Sequence, residues 1–284
     1  MNDLKITLIQ SNLFWENCDK NLEQFSKKIS SVTEQTDLII LPEMFTTGFS
    51  MLPEKLAESM TGKTVNWMKE QAHKKQCVIT GSFICEENGK YYNRLVWMKP
   101  DGTYSTYDKR HLFSMANEDK HYTSGNKKII EEIKGWKICP LICYDLRFPI
   151  WSRNRNIPHL PHNSTRPPSL AHYQSHKGDM LPAYDLLIYV ANWPARRSFP
   201  WKTLLLARAI ENQCYVIGEN RVGTDGNGID YSGDSVVIDF KGEILSKTPP
   251  HEEFTETISL SYSGLEEFRK QFPVLDDADS FEIL

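Results

Sequence analysis

Three residues of different chemistry stand at the ends of strand-like runs in this chain. Cys143 closes Lys137-Ile-Cys-Pro-Leu-Ile-Cys143 and is followed by Tyr144-Asp-Leu-Arg-Phe-Pro149. Glu43 follows Leu38-Ile-Ile-Leu-Pro42, and Lys109 follows Tyr107-Asp108. A buried strand that runs out into a turn at Cys143 is expected to expose the sulfur. It also leaves nearby backbone N–H groups free to hold an anion. A thiol attacks as thiolate, favoured by a cation or by oriented N–H groups, and Asp145 and Arg147 supply charge beside it. A carboxylate at the mouth of the core suits a general base. An ammonium there can stabilise both a thiolate and a tetrahedral oxyanion. Taken singly, these residues have ordinary readings: a core cysteine, a capping carboxylate, a solvated lysine. Together, three reactive types at comparable positions point to a cysteine hydrolase.

The elements that must hold them alternate along the chain. Lys5–Ile9 reads as a first strand. A helix from about Asn17 follows, with Leu22, Phe25, Ile29 and Val32 on one face. Asp37–Leu41 is an apolar strand broken by Pro42, and a helix runs from about Thr64 to Lys75. Cys77–Phe83 and Arg94–Met98 read as strands, the second closed by a Pro100-Asp-Gly turn. The rhythm repeats in the second half. The strand ending at Cys143 leads to a helix from about Phe148, and Asp185–Val190 is the next buried strand. Trp201–Asn212 reads as a helix with Leu204, Leu205 and Ala209 toward the core. Cys214–Gly218 and Ser235–Asp239 are strands, the latter turning through Lys241-Gly242 into Glu243–Leu245. Apolar strands with helices between many of them need cover on both faces, so an α/β layered fold of one domain over 1–284 is expected.

One segment breaks that rhythm. Residues 157–183 hold five of the 15 prolines and four of the eight histidines, which predicts a surface insertion with little regular structure. His159/His162 and His172/His176 have ligand-like spacings. No cysteine or carboxylate cluster beside them completes a metal set, so the segment is read as a mobile insertion, a lid or a subunit contact before a metal site.

The bulk numbers exclude several classes. A net charge of −4 gives no reason to expect a nucleic-acid partner. No apolar stretch approaches the roughly 20 residues of a membrane helix, and no leader is visible ahead of the first strand. The cysteines at 18, 77, 85, 139, 143 and 214 show no two-residue gap of a zinc or redox motif. Cys77, Cys139 and Cys214 read as small buried hydrophobes, and the expected compartment is the cytoplasm.

The segments Leu-Pro-Glu43-Met, Asp-Lys109-Arg-His-Leu-Phe and Ile-Cys143-Tyr-Asp-Leu-Arg-Phe-Pro resemble the carbon–nitrogen hydrolase (nitrilase) superfamily, whose pattern is glutamate, lysine and cysteine in that order. The likeness runs from the first strand to the last residues and skips only the proline- and histidine-rich segment. It implies Glu43 as base, Lys109 as oxyanion stabiliser and Cys143 as nucleophile, with the Tyr144 backbone N–H as second oxyanion donor. It also implies a supporting carboxylate at Glu118, seven residues before the turn glycine Gly125, with Asp119 the adjacent alternative. The fold implied is the four-layer αββα sandwich of that superfamily, dimerised so that the sandwich continues across the interface. No metal or organic cofactor is implied.

Within the superfamily, Glu43-Met-Phe-Thr-Thr-Gly-Phe49, Ala191-Asn-Trp-Pro194, Arg208-Ala-Ile-Glu-Asn-Gln213, Asn220-Arg-Val-Gly223 and Tyr231-Ser-Gly-Asp-Ser235 resemble the bacterial omega-amidase group. Those enzymes hydrolyse the terminal amide of 2-oxoglutaramate or 2-oxosuccinamate to the dicarboxylic oxo acid and ammonia. Such a substrate carries a carboxylate at its far end. Arg196 and Arg197 are the candidates to meet it, because a guanidinium binds carboxylate through two N–H groups. A solvated basic turn is their plainer reading. Trp193 is a candidate pocket wall. Rival readings are an N-carbamoyl amidase, a deaminated-glutathione amidase or a nitrilase with the same triad and, in a different class, a catalytically silent binding scaffold.

Overall fold

The computed structural model describes residues 2–154 and 182–279. In chain order it begins with β1 (Leu4–Gln10), α1 (Cys18–Ser31), β2 (Leu38–Ile40), α2 (Pro53–Leu56), α3 (Lys63–Lys75), β3 (Val78–Glu87), β4 (Lys90–Met98) and β5 (Tyr104–Asp108). It continues with α4 (Glu118–His121), β6 (Glu131–Ile133), β7 (Trp136–Ile142), α5 (Pro149–Ser152), β8 (Leu186–Ala191), α6 (Ser198–Asn212) and β9 (Tyr215–Asn220). The small hairpin of β10 (Val222–Thr224) and β11 (Asp230–Ser232), then β12 (Val236–Ile238), β13 (Phe254–Leu260) and α7 (Tyr262–Gln271), complete it.

Two sheets stack between two helical layers. One has the order β13-β1-β2-β3-β4-β5 and the other β12-β9-β8-β7-β6. Side chains alternate across the first sheet with the two-residue period of a strand. Leu4, Ile6, Leu8, Leu38, Ile40, Leu95 and Trp97 pack into the space between the sheets. Ile9, Ile39, Leu41, Val96 and Met98 face outward onto α1 and α3, where Phe25, Ile29, Val65 and Met68 cover them. Asn17 caps α1 by accepting from Lys20 N at 3.1 Å, and the apolar face then delivers Phe25 into full burial. Replacing Phe25 by Ala is expected to cost about 3–5 kcal/mol, because a cavity adds to the lost transfer energy. On the other side Trp201, Leu205 and Ala209 of α6 pack on the second sheet. The expected αββα layering and the single α/β domain are therefore what the chain forms.

Most predicted elements appear with small shifts. The helix expected from Trp201 begins three residues earlier at Ser198, and α1 stops at Ser31, so that Val32 is its C-cap. The helix expected from about Phe148 is the short α5, opened by Pro149, and a 3₁₀ turn, Cys143–Arg147, precedes it. Glu243–Leu245 forms only an isolated bridge, Ile238 to Ile244. The predicted insertion at 157–183, with its histidine pairs, lies outside the described residues except for Pro182 and Ala183.

What positions the site is the direction of a few strands. β1, β2 and β3 run parallel in one sheet, and β7, β8 and β9 in the other. Glu43 follows β2, Lys109 follows β5, Cys143 follows β7 and Asn192 follows β8. In open α/β sheets the carboxyl ends of strands are where ligands gather.

Candidate active site

Lys109 is the hub of the site. Its side chain is fully buried, with Nζ 2.8 Å from Glu43 Oε1 and 2.9 and 3.0 Å from the two oxygens of Glu118. Glu118 sits at the start of α4 and accepts from Phe113 N at 2.6 Å. The adjacent Asp119 is exposed, so burial settles which acidic residue meets the lysine. Asn93, in the middle of β4, donates from Nδ2 to Glu43 Oε1 at 2.7 Å and to Glu118 Oε1 at 3.2 Å. Asn192 donates its backbone N–H to Glu43 Oε2 at 2.8 Å, and its side-chain amide donates to the Glu43 carbonyl. Both oxygens of Glu43 are therefore aimed, one at the ammonium and one at the end of β8.

The electrostatics follow from complete burial. Burial alone pulls an ammonium down, but Glu118 and Glu43 outweigh it and hold Lys109 above its ordinary range. Burial pushes the Glu118 carboxyl up against the opposing pull of Lys109, with the charge of Glu43 adding to the rise. The Cys143 thiol is pushed well above its ordinary range by burial first. Charge and hydrogen-bonding contact with Glu43 then add to the rise, against the lowering influence of Lys109. Burial and the neighbouring Glu43 thus favour the protonated form of the sulfur.

Cys143 departs from expectation in one respect. It is 8% exposed rather than open to solvent, because the 3₁₀ turn folds it inward. Its φ is +43°, in the left-handed region. A non-glycine residue there stores strain of order 1–3 kcal/mol, and such strain aims a side chain that ordinary backbone would point elsewhere. The sulfur lines a cavity of about 270 Å³ together with Glu43, Lys109, Tyr144 and Asn192. Phe49, Phe113, Trp193 and Tyr231 give the same cavity aromatic walls.

The solvent end of the cavity carries Arg147, Arg196 and Arg197. Arg147 lies over the Trp193 ring at 5.0 Å and Arg197 over Phe113 at 5.1 Å. Trp193 Nε1 donates to Arg197 O at 2.8 Å, tying the arginine turn to the wall. Partial burial lowers Arg197, and the neighbouring Arg196 and Arg147 lower it further. None of the three pairs with a carboxylate among the described residues. Sequence reasoning named Trp193, Arg196 and Arg197, and all three line the cavity with the thiol. It saw Arg147 only as charge beside the nucleophile, and it assigned nothing to Asn93, Phe113, Asn192 or Tyr231.

A cavity lined by a thiol, a carboxylate and an ammonium, with a second carboxylate paired behind the ammonium, has counterparts among known proteins. The sequence profile of the carbon–nitrogen hydrolases matches residues 5–156 and 167–270. The chain belongs to the carbon–nitrogen hydrolase family. It is 45% identical to the omega-amidase YafV of Escherichia coli (strain K12) over the whole of both chains. It is 29% identical to a 2-oxoglutaramate amidase of Bacillus subtilis (strain 168), covering 96% of each. The crystal structure of XC1258 from Xanthomonas campestris, a carbon–nitrogen hydrolase superfamily protein with an arsenic adduct in its active site, superposes over all of both chains. Its TM-score is 0.90 at 41% identity. None of the helices of the described residues is long and apolar enough to cross a membrane.

Proposed function

We propose that this carbon–nitrogen hydrolase is an omega-amidase, which releases ammonia from the terminal amide of a short 2-oxo dicarboxylic acid monoamide such as 2-oxoglutaramate. The observation that carries the reading is the division of the cavity. A thiol and its paired acid and ammonium lie at the floor, and three guanidiniums without a carboxylate partner among the described residues lie at the solvent end. Full-length similarity to omega-amidase and 2-oxoglutaramate amidase supports it.

In this reading Glu43 takes the thiol proton as Cys143 Sγ bonds to the amide carbon. The carbonyl electrons move onto oxygen, where Lys109 Nζ and the Tyr144 backbone N–H hold the charge. As the tetrahedral centre collapses, Glu43 returns the proton to nitrogen, the C–N bond breaks and ammonia leaves. Glu43 then deprotonates a water that attacks the thioester. A second collapse frees the acid and the sulfur, which recovers its proton. Glu118 and Asn93 keep Lys109 and Glu43 aligned through both halves. At the far end Arg196 and Arg197 grip the substrate carboxylate in bidentate fashion, and Trp193 forms the wall along its carbon chain.

Two wider assignments belong to the same proposal. The protein pairs as a homodimer through the outer face of α6, where Phe199 is 78% and Ile210 51% exposed, with Leu206 between them. All six cysteines are free, which suits a reducing compartment such as the cytoplasm.

The decisive experiment measures ammonia from 2-oxoglutaramate, a neutral primary amide, an N-carbamoyl amino acid and a nitrile. Turnover of 2-oxoglutaramate with the highest kcat/KM, lost by about 10⁴-fold or more in Cys143→Ala, is the expected result. A preference for the carbamoyl compound or the nitrile would replace the omega-amidase reading with another activity of the family. Undiminished ammonia release by Cys143→Ala would end the nucleophile assignment.

A further inference from the structure

Asp145 stands two residues past Cys143, yet it does not line the cavity. Its side chain is fully buried and accepts four hydrogen bonds. Ile142 N, one residue before Cys143, donates to Oδ2 at 3.1 Å and closes the turn that holds the nucleophile in its left-handed conformation. The other three come from the segment that carries Lys109. The Tyr107 hydroxyl donates to Oδ2 at 2.7 Å, and His111 donates to Oδ1 from its backbone N at 3.1 Å and from Nδ1 at 2.7 Å. Tyr107 and His111 stand two residues before and two residues after the lysine. One carboxylate therefore spans the turn of the thiol and the turn of the ammonium.

The opposite side of His111 is also held. Its ring stacks on Phe148, with 3.7 Å between centroids and 7° between planes. Phe148 caps the 3₁₀ turn that Cys143 opens. Trp151 Nε1 donates to the Tyr107 hydroxyl at 3.0 Å, which fixes the orientation of that group as well. A carboxylate only accepts, so Nδ1 of His111 must carry its hydrogen. An amide at 145 would have to turn a donor toward one of these donors.

We propose that Asp145 and His111 are positioning residues, a latch that sets the separation of Cys143 from Lys109 and so acts on turnover rather than on substrate binding. The latch rests on the reading of Cys143 as nucleophile and Lys109 as oxyanion partner. A misplacement of about 1 Å between reacting groups costs on the order of 10²-fold in rate.

The test uses the full chain with Asp145→Asn, His111→Leu, His111→Asn, Tyr107→Phe and the double variant Asp145→Asn/His111→Leu. kcat and KM on 2-oxoglutaramate are normalised to folded protein from thermal melts. Asp145→Asn and His111→Leu are expected to lower kcat on the order of 10²-fold with KM little changed. Tyr107→Phe, which removes one of the four bonds to Asp145 and also the acceptor of Trp151 Nε1, should lower kcat of the folded protein about fivefold. His111→Asn, which restores an N–H near the place of Nδ1, should recover most of the rate lost in His111→Leu. The double variant should be no worse than the poorer single one, because both act through one contact. Unchanged kcat in Asp145→Asn, a loss confined to KM, or additive losses in the double variant would overturn the latch. Activity retained by Cys143→Ala would overturn the proposed function instead, so the two failures read differently.

Discussion

At the floor of the cavity Lys109 lies 2.8 Å from Glu43 and 2.9 Å from Glu118, all three fully buried. At the solvent end Arg147, Arg196 and Arg197 crowd one another without a carboxylate partner among the described residues. The floor is electrostatically complete by itself: Lys109 lies between the two carboxylates, Asn93 also donates to Glu43 Oε1, and the Asn192 N–H holds Oε2. The solvent end is incomplete, and like charges side by side repel until an anion sits among them. Buried charges demand internal compensation at any stage of the reaction. Guanidiniums near water can wait uncompensated, because solvent and salt screen them. In the proposed function this difference separates the chemistry, which the fold prepares, from selectivity, which the substrate completes.

Removing one partner from each region breaks the comparison most sharply. Lys109→Met leaves two carboxylates facing each other at zero exposure, so a destabilisation of about 3–5 kcal/mol is expected along with loss of turnover. Arg196→Ala should change stability by only about 0.5 kcal/mol or less. Thermal or urea unfolding of the two variants measures both, and equal shifts would contradict the contrast.

The next effect is on selectivity. Arg196→Ala and Arg197→Ala should each lower kcat/KM for 2-oxoglutaramate by about 10- to 100-fold, as loss of a charge-assisted contact implies. A neutral amide should be nearly unaffected. Equal losses on both substrates, or none, would remove the carboxylate clamp.

The smallest effect concerns pH. Burial and then Glu43 favour the protonated sulfur, so the Cys143 thiolate forms only above the range of an ordinary cysteine. The rate of alkylation of Cys143 by iodoacetamide, followed by peptide mass spectrometry, should still be rising at pH 9, where a free thiol near pKa 8.5 is levelling off. Glu43→Gln removes a charge that raises the thiol and should move the curve to lower pH. A plateau below pH 8 in the unaltered protein would show that Lys109 dominates the sulfur.

The floor was largely legible in the sequence because it is built at strand ends. Glu43, Lys109 and Cys143 each terminate an apolar or strand-like run, and such runs are local signals. Glu118 needed the family resemblance, since only tertiary burial separates it from Asp119. Asn93 gave no sign: it is one polar residue inside β4, and its role exists only because Glu43 and Glu118 meet there from elsewhere in the chain. Arg147 was visible as a charge but not as a wall, because its stacking on Trp193 joins turns after two different strands. The strand β13 escaped for a similar reason. Phe254-Thr-Glu-Thr-Ile-Ser-Leu260 is half polar, and it becomes a strand by pairing antiparallel with β1, about the whole chain away.

Gly125 shows how far outside the cavity its geometry is controlled. Its N–H donates to the Lys109 carbonyl at 3.0 Å, and a methyl group added there would overlap the carbonyl oxygen of Asp108. Any side chain at 125 would therefore act as a wedge beneath the residue that carries the ammonium. Changes in the arginine turn should shift which amides are accepted, but alanine at this remote glycine should blunt the enzyme on every amide alike.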